Sequence, residues 1–167
     1  MKSRKLLFFL CLVLLSLLLL STGVVAETRG VKVVARDSDG SVDKVDLYSE
    51  MVAVIIGIDI YQNLPSEKHL KYAVSDGRGV EKILKERYNF SRVISLYNQE
   101  ASRENIMKIL LGELSTLNPD AGVLVYFAGH GITRSTQQGK LGYLIPYDGS
   151  LKGNEMYKNI SMQQIKS

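Results

Sequence analysis

The chain has 167 residues, 46% of them apolar and 23% charged, with a formal charge of +4 and no tryptophan. That is enough apolar material for a buried core, which argues against disorder. Lys2, Arg4 and Lys5 supply most of the excess charge, and the remaining 18 basic and 17 acidic residues nearly cancel. No Lys/Arg-rich face with interleaved aromatics stands out, so nucleic acid is not an expected partner.

The first 26 residues read as a leader. A basic start is followed by an apolar run, Leu6 to Leu20, broken only by Ser16, and then by small residues ending Val24-Val25-Ala26. This pattern predicts a signal peptide cleaved before Glu27. Counted through Val25 the run approaches the length of a membrane span, so a retained leader would serve as an anchor. Either way the rest of the chain is expected to be exported, periplasmic or extracellular, and to touch a membrane only through an uncleaved leader. The single cysteine, Cys11, lies inside the apolar run, so the mature chain would have no disulfide and no thiol nucleophile.

Residues 27–50 are polar and read as a linker or pro-segment, with a short strand at Val31 to Ala35. Asp37-Ser38-Asp39-Gly40 is read as a solvated turn, because its glycine comes too early for a calcium loop. Residues 51–167 carry the domain. Val52 to Ile58 is β-branched and apolar, as suits a strand buried on both faces. Asp76 to Tyr88 predicts a helix with Val80, Ile83, Leu84 and Tyr88 on one face. Arg92 to Tyr97 is a second strand. Ser102 caps a second helix carrying Ile106, Ile109, Leu110, Leu114 and Leu117 at helical spacing, ended by Asn118-Pro119-Asp120. Val123 to Ala128 is a third strand, Gly129 to Lys140 a polar loop, and Leu141 to Pro146 a fourth strand closed by a turn at Asp148-Gly149. Ser161 to Gln164 fits a capping box, so a helix is expected to start there and to continue past Ser167.

This rhythm predicts a mostly parallel sheet with helices on both faces, which binds its ligands beyond the carboxyl ends of the strands. Tyr126-Phe127-Ala128-Gly129-His130-Gly131 puts an imidazole at that edge between two glycines. From spacing alone His130 reads either as a turn residue or as a group that exchanges protons near neutral pH. Asp59 follows the first strand and reads as turn chemistry. His69 reads as a surface residue, and no third ligand supports a metal site with His130. No metal or other cofactor is expected, and calcium dependence is left open.

Taken in order, Val52 to Asp59 with Tyr61, then Leu70 to Asp76, Tyr126 to Gly131 and Gly142 to Asp148 resemble the landmarks of the caspase/metacaspase family. The likeness runs from Val52 to Ser167. It implies a caspase-like three-layer α/β/α fold, incomplete at its carboxyl end, and cysteine-type endopeptidase activity on peptide or protein substrates through a Cys–His dyad. On this likeness His130 matches the dyad histidine, and the backbone N–H of Gly131 matches an oxyanion-hole donor. Asp76 matches the acid that metacaspases place in the substrate pocket, where a carboxylate favours Arg or Lys before the cut. Without the resemblance, Asp76 is a helix N-terminal acid favoured by the dipole. The nucleophilic cysteine, expected some tens of residues after His130 at the end of the next strand, is not in this sequence. Ser135 and Thr136 are not arranged to replace it. Two other readings compete: a non-catalytic caspase-fold module for binding or regulation, and an unrelated parallel α/β binding domain.

Overall fold

A computed structural model of the protein describes residues 32–36, 42–88, 90–137 and 139–166, with side chains from residue 47 to 165. The expected leader and the Asp37–Gly40 turn lie outside the described residues. Two short strands, β1 (Lys32–Arg36) and β2 (Val42–Asp46), pair antiparallel where the sequence reads as a linker. Among the described residues no helix is long and apolar enough to cross a membrane.

The domain is built on β3 (Met51–Gly57), which pairs in parallel with β4 (Arg92–Tyr97) on one side and β5 (Gly122–Ala128) on the other. Val52 through Ile56 are fully buried, as a central parallel strand requires. Their side chains alternate between two layers. Ala53 and Ile55 pack with Leu84 and Val80 of helix α1 (Ala73–Arg87), together with Leu124 and Tyr126 of β5. Val54, Ile56 and the following Ile58 pack with Ile106 and Ile109 on the opposite face. The second helical segment begins as α2 (Arg103–Met107), widens into a π-type turn over Lys108–Glu113 and closes as a 3₁₀ turn at Leu114–Thr116. The layers are helix, sheet, helix, consistent with the caspase-like α/β architecture.

Helix α1 starts at Ala73, three residues before the expected start, and its buried face is Ala73, Gly77 and Leu84. Ile83 and Tyr88, expected inside, are about half exposed. Gly77 explains the rotation of this face. A methyl group there would meet the Tyr97 ring at 3.0 Å and Ile55 at 3.4 Å, so the helix backbone itself lies close against the sheet.

The segment expected as a polar loop, Gly129 to Lys140, is instead a hairpin. Strand β6 (Gly131–Thr136) pairs antiparallel with β7 (Gly139–Leu144), and β7 pairs in turn with the two-residue β8 (Ile160–Ser161). The turn needs Gly139, whose φ of 118° is open to glycine at little cost. The fourth expected strand thus belongs to a second, antiparallel sheet and stops at Leu144. Helix α3 (Met162–Lys166) begins with the expected capping box: the Gln164 amide donates to Ser161 Oγ and the Ser161 amide to Gln164 Oε1, at 3.3 and 3.0 Å.

Candidate active site

The carboxyl ends of β3 and β5 lie side by side, with Gly57 opposite Ala128, and Ile58 N–H continues the ladder to Ala128 O at 3.0 Å. Just beyond that level, Asp59 turns back under α1. Its carboxylate accepts from the amides of Ala73 at 2.8 Å and Val74 at 3.4 Å. Asp59 is therefore the cap of α1, supplied from a strand tip rather than from the helix's own flanking sequence. Asp148 does the same for α2, its Oδ1 accepting from the Arg103 amide at 2.8 Å, while Gly149 N–H to Pro146 O closes the expected turn. Both acids read as turn residues; each also neutralises the amino end of a helix.

His130 stands in the two-residue link between β5 and β6, half-buried. Its amide donates to the Tyr61 hydroxyl at 2.7 Å, and its carbonyl accepts from the Ile145 amide at 2.9 Å. Its Nε2 lies 2.6 Å from the Lys68 carbonyl oxygen. A carbonyl only accepts, so Nε2 carries the proton and, in the neutral ring, the Nδ1 lone pair is left for another partner. The Lys68 carbonyl is presented by a single 3₁₀ turn, Ser66–Lys68, entered through Pro65.

Tyr61, 2% exposed, packs its ring on the imidazole with centroids 4.9 Å apart. Burial pushes its hydroxyl up to about 12, only partly offset by the His130 amide, so it is a neutral phenol under ordinary conditions. Gly129 makes this contact possible, because a methyl group there would stand 2.9 Å from the Tyr61 hydroxyl. Gly131 is different: a methyl would meet only the Tyr143 carbonyl, at 3.5 Å. The Ile145-to-His130 bond sets the register of the hairpin, so the His130 carbonyl and the polar backbone groups of Ile132 and Arg134 face β7. The N–H of Gly131, opposite Leu144, falls on the side away from β7.

Asp76 sits in the first turn of α1, exposed, with its amide bonded to the Tyr72 carbonyl at 2.8 Å. His69, expected at the surface, is half-buried, and its Nε2 lies 3.2 Å from the Tyr61 carbonyl. Among the described residues no group of three metal-ligating side chains comes together. Tyr61 enters the sequence reading as a family landmark, but its bond to the His130 amide and the Lys68 carbonyl acceptor are the parts of this site that the residue pattern does not announce. A backbone acceptor leaves no mark on composition, and a tyrosine after a strand reads as a core edge.

The parallel three-stranded sheet with helices on both faces is that of a caspase-like α/β fold. The sequence profile of the caspase domain matches residues 50–167, and the chain belongs to that family. Caspase domains are cysteine peptidases that act on proteins or peptides. Among solved structures, a crystal structure of a protein from Geobacter sulfurreducens is similar at 18% identity and a TM-score of 0.49. The match covers 65% of this chain and 43% of that one, so this chain spans less than half of that protein. No curated protein matches significantly.

Proposed function

We propose that residues 51–167 are the histidine-bearing part of a cysteine-type endopeptidase domain, exported by the leader, that cuts after Arg or Lys. One observation carries the reading: His130 Nε2 is committed to the Lys68 carbonyl at 2.6 Å, which leaves Nδ1 as the working nitrogen at the ligand edge of the sheet. In this chemistry the thiol proton passes to Nδ1 and the sulfur attacks the scissile carbonyl. The imidazolium then returns the proton to the departing amine, and a water molecule, deprotonated by the same nitrogen, releases the acyl group from sulfur. The Gly131 N–H, free of the β7 ladder, suits the oxygen that becomes negative in both steps. Asp76, exposed at the start of α1, is the carboxylate that would pair with a basic side chain.

The thiol is not among residues 12–167. The strand that would deliver it has a place to pair. Among the described residues β5 is bonded only to β3, and its Val123 and Val125 are 47% and 42% exposed. The test is the reading frame carried past Ser167. It should encode a β-strand ending in cysteine, and the longer protein should hydrolyse peptidyl-Arg amides, with His130→Ala lowering kcat/KM by at least about a thousandfold. A continuation with no such cysteine favours the binding-module reading. Activity that survives His130→Ala removes His130 from the mechanism.

A further inference from the structure

Tyr61 and His69 lie outside the proposed dyad, yet their bonds close a ring around it. The Tyr61 hydroxyl holds the His130 amide at 2.7 Å. The His130 ring donates through Nε2 to the Lys68 carbonyl at 2.6 Å. The next residue, His69, returns from the same turn to the Tyr61 carbonyl through its own Nε2 at 3.2 Å. Tyr61 is thereby fixed at both ends of the circuit: its phenol oxygen grips the backbone of His130, and its carbonyl anchors the turn that offers His130 an acceptor. The turn is held further by the His69 amide to Ser66 O at 3.0 Å and the Lys68 amide to Pro65 O at 2.9 Å. The ring contact between Tyr61 and His130, tilted by 37°, blocks one face of the imidazole.

We propose that Tyr61 and His69 are positioning residues for His130, acting together to hold its Nε2 on the Lys68 carbonyl and so to keep Nδ1 facing the reacting thiol. The inference rests on the reading that His130 moves the proton, but it concerns the orientation of the ring and is measurable without catalysis. An imidazole is nearly symmetric about its ring, and a flip about χ2 exchanges a nitrogen for a carbon at small intrinsic cost. Only fixed neighbours on both sides make one orientation the rule. The Tyr61 hydroxyl fixes the backbone end of the side chain, and the turn held by His69 fixes the far end.

The protein has two histidines, so each reports on the other in one spectrum. Long-range ¹H–¹⁵N spectra of the full chain at pH 8 should show both rings as Nε2–H tautomers. Tyr61→Phe should leave the His69 signals in place. At His130 it should bring in the Nδ1–H form and speed exchange of the ring N–H by about tenfold, a loss comparable to one hydrogen bond. His69→Ala should produce the same change at His130 from the opposite end of the circuit, and His69→Gln, which retains a donor, should restore it. Folded Tyr61→Phe and His69→Ala proteins that keep the His130 tautomer and a protected Nε2–H overturn the proposal. If Tyr61→Phe does not fold, His69→Ala alone decides, since it removes a half-buried side chain from a turn. Peptide hydrolysis by the longer protein that is insensitive to His130→Ala would defeat the dyad reading while leaving the ring measurement to stand or fall by itself.

Discussion

Removing the Asp59 carboxylate should cost the domain about 2–3 kcal/mol, well above an ordinary surface substitution. The estimate follows from what Asp59 holds. One oxygen accepts the Ala73 amide at 2.8 Å, the other the Val74 amide at 3.4 Å, and the group is part-buried at the start of a 15-residue helix. Loss of a helix cap costs about 0.5–2 kcal/mol, and a charged hydrogen bond contributes about 1.5–3 kcal/mol. Both figures describe the same pair of bonds, so they are alternatives and are not added; the charge together with the second, weaker bond places the loss at about 2–3 kcal/mol. Asp59→Asn retains an oxygen toward Ala73 but gives up the charge facing the helix dipole, so it should lose about 1 kcal/mol. Urea titrations of both variants give the assay: the midpoint should fall in the order wild type, Asn, Ala, with the slope unchanged. An Asp59→Ala protein within about 0.5 kcal/mol of wild type would show that α1 needs no cap from the strand tip, and the account of its early start would be wrong.

Gly129→Ala should destabilise by about 1–3 kcal/mol, because its methyl group would meet the Tyr61 hydroxyl and Phe127 at 2.9 Å, whereas Gly131→Ala, with only a carbonyl at 3.5 Å, should stay within about 0.5 kcal/mol in the same titration. Glu81 accepts from Lys85 and from the Tyr97 hydroxyl, which lowers its carboxyl to about 2 against 4.5 unfolded. Its contribution is therefore complete above pH 4.5 and is lost as pH falls toward 2; Glu81→Gln should flatten that part of the stability–pH curve, and an unchanged acid limb counts against the pairing. Ile55→Ala empties a fully buried site between Leu84 and Tyr126 and should cost about 2–5 kcal/mol by calorimetry or urea, with a value below 1 kcal/mol inconsistent with a close-packed inner layer.

The parallel sheet was legible because its strands are apolar and β-branched and its helices amphipathic, signals that burial itself imposes. Val52–Ile56, Ile106 and Ile109 fall where periodicity puts them. What escaped depends on partners distant in sequence. The start of α1 is set by Asp59, fourteen residues earlier, and not by a flanking Ser or Thr. The β6–β7 hairpin reads as loop because Gly-Ile-Thr-Arg-Ser-Thr carries one large apolar side chain, so its alternation is between half-buried Ile132 and Arg134 and exposed Thr133 and Ser135. Ile83 and Tyr88 looked buried because helical spacing identifies a stripe but cannot know that Gly77 rotates the contact face. At the site, the family likeness singled out His130, Gly131 and Asp76 by position. The groups that orient His130, a backbone carbonyl and a buried tyrosine hydroxyl, became visible only once residues 61 to 69 were folded against residue 130.

The most direct test is a structure of the protein carried past Ser167, read at a single atom. A cysteine sulfur should lie at the end of a strand added to β5, within about 4 Å of His130 Nδ1, with Nε2 still on the Lys68 carbonyl. A sulfur approaching Nε2, or no sulfur near the ring at all, would contradict the dyad reading.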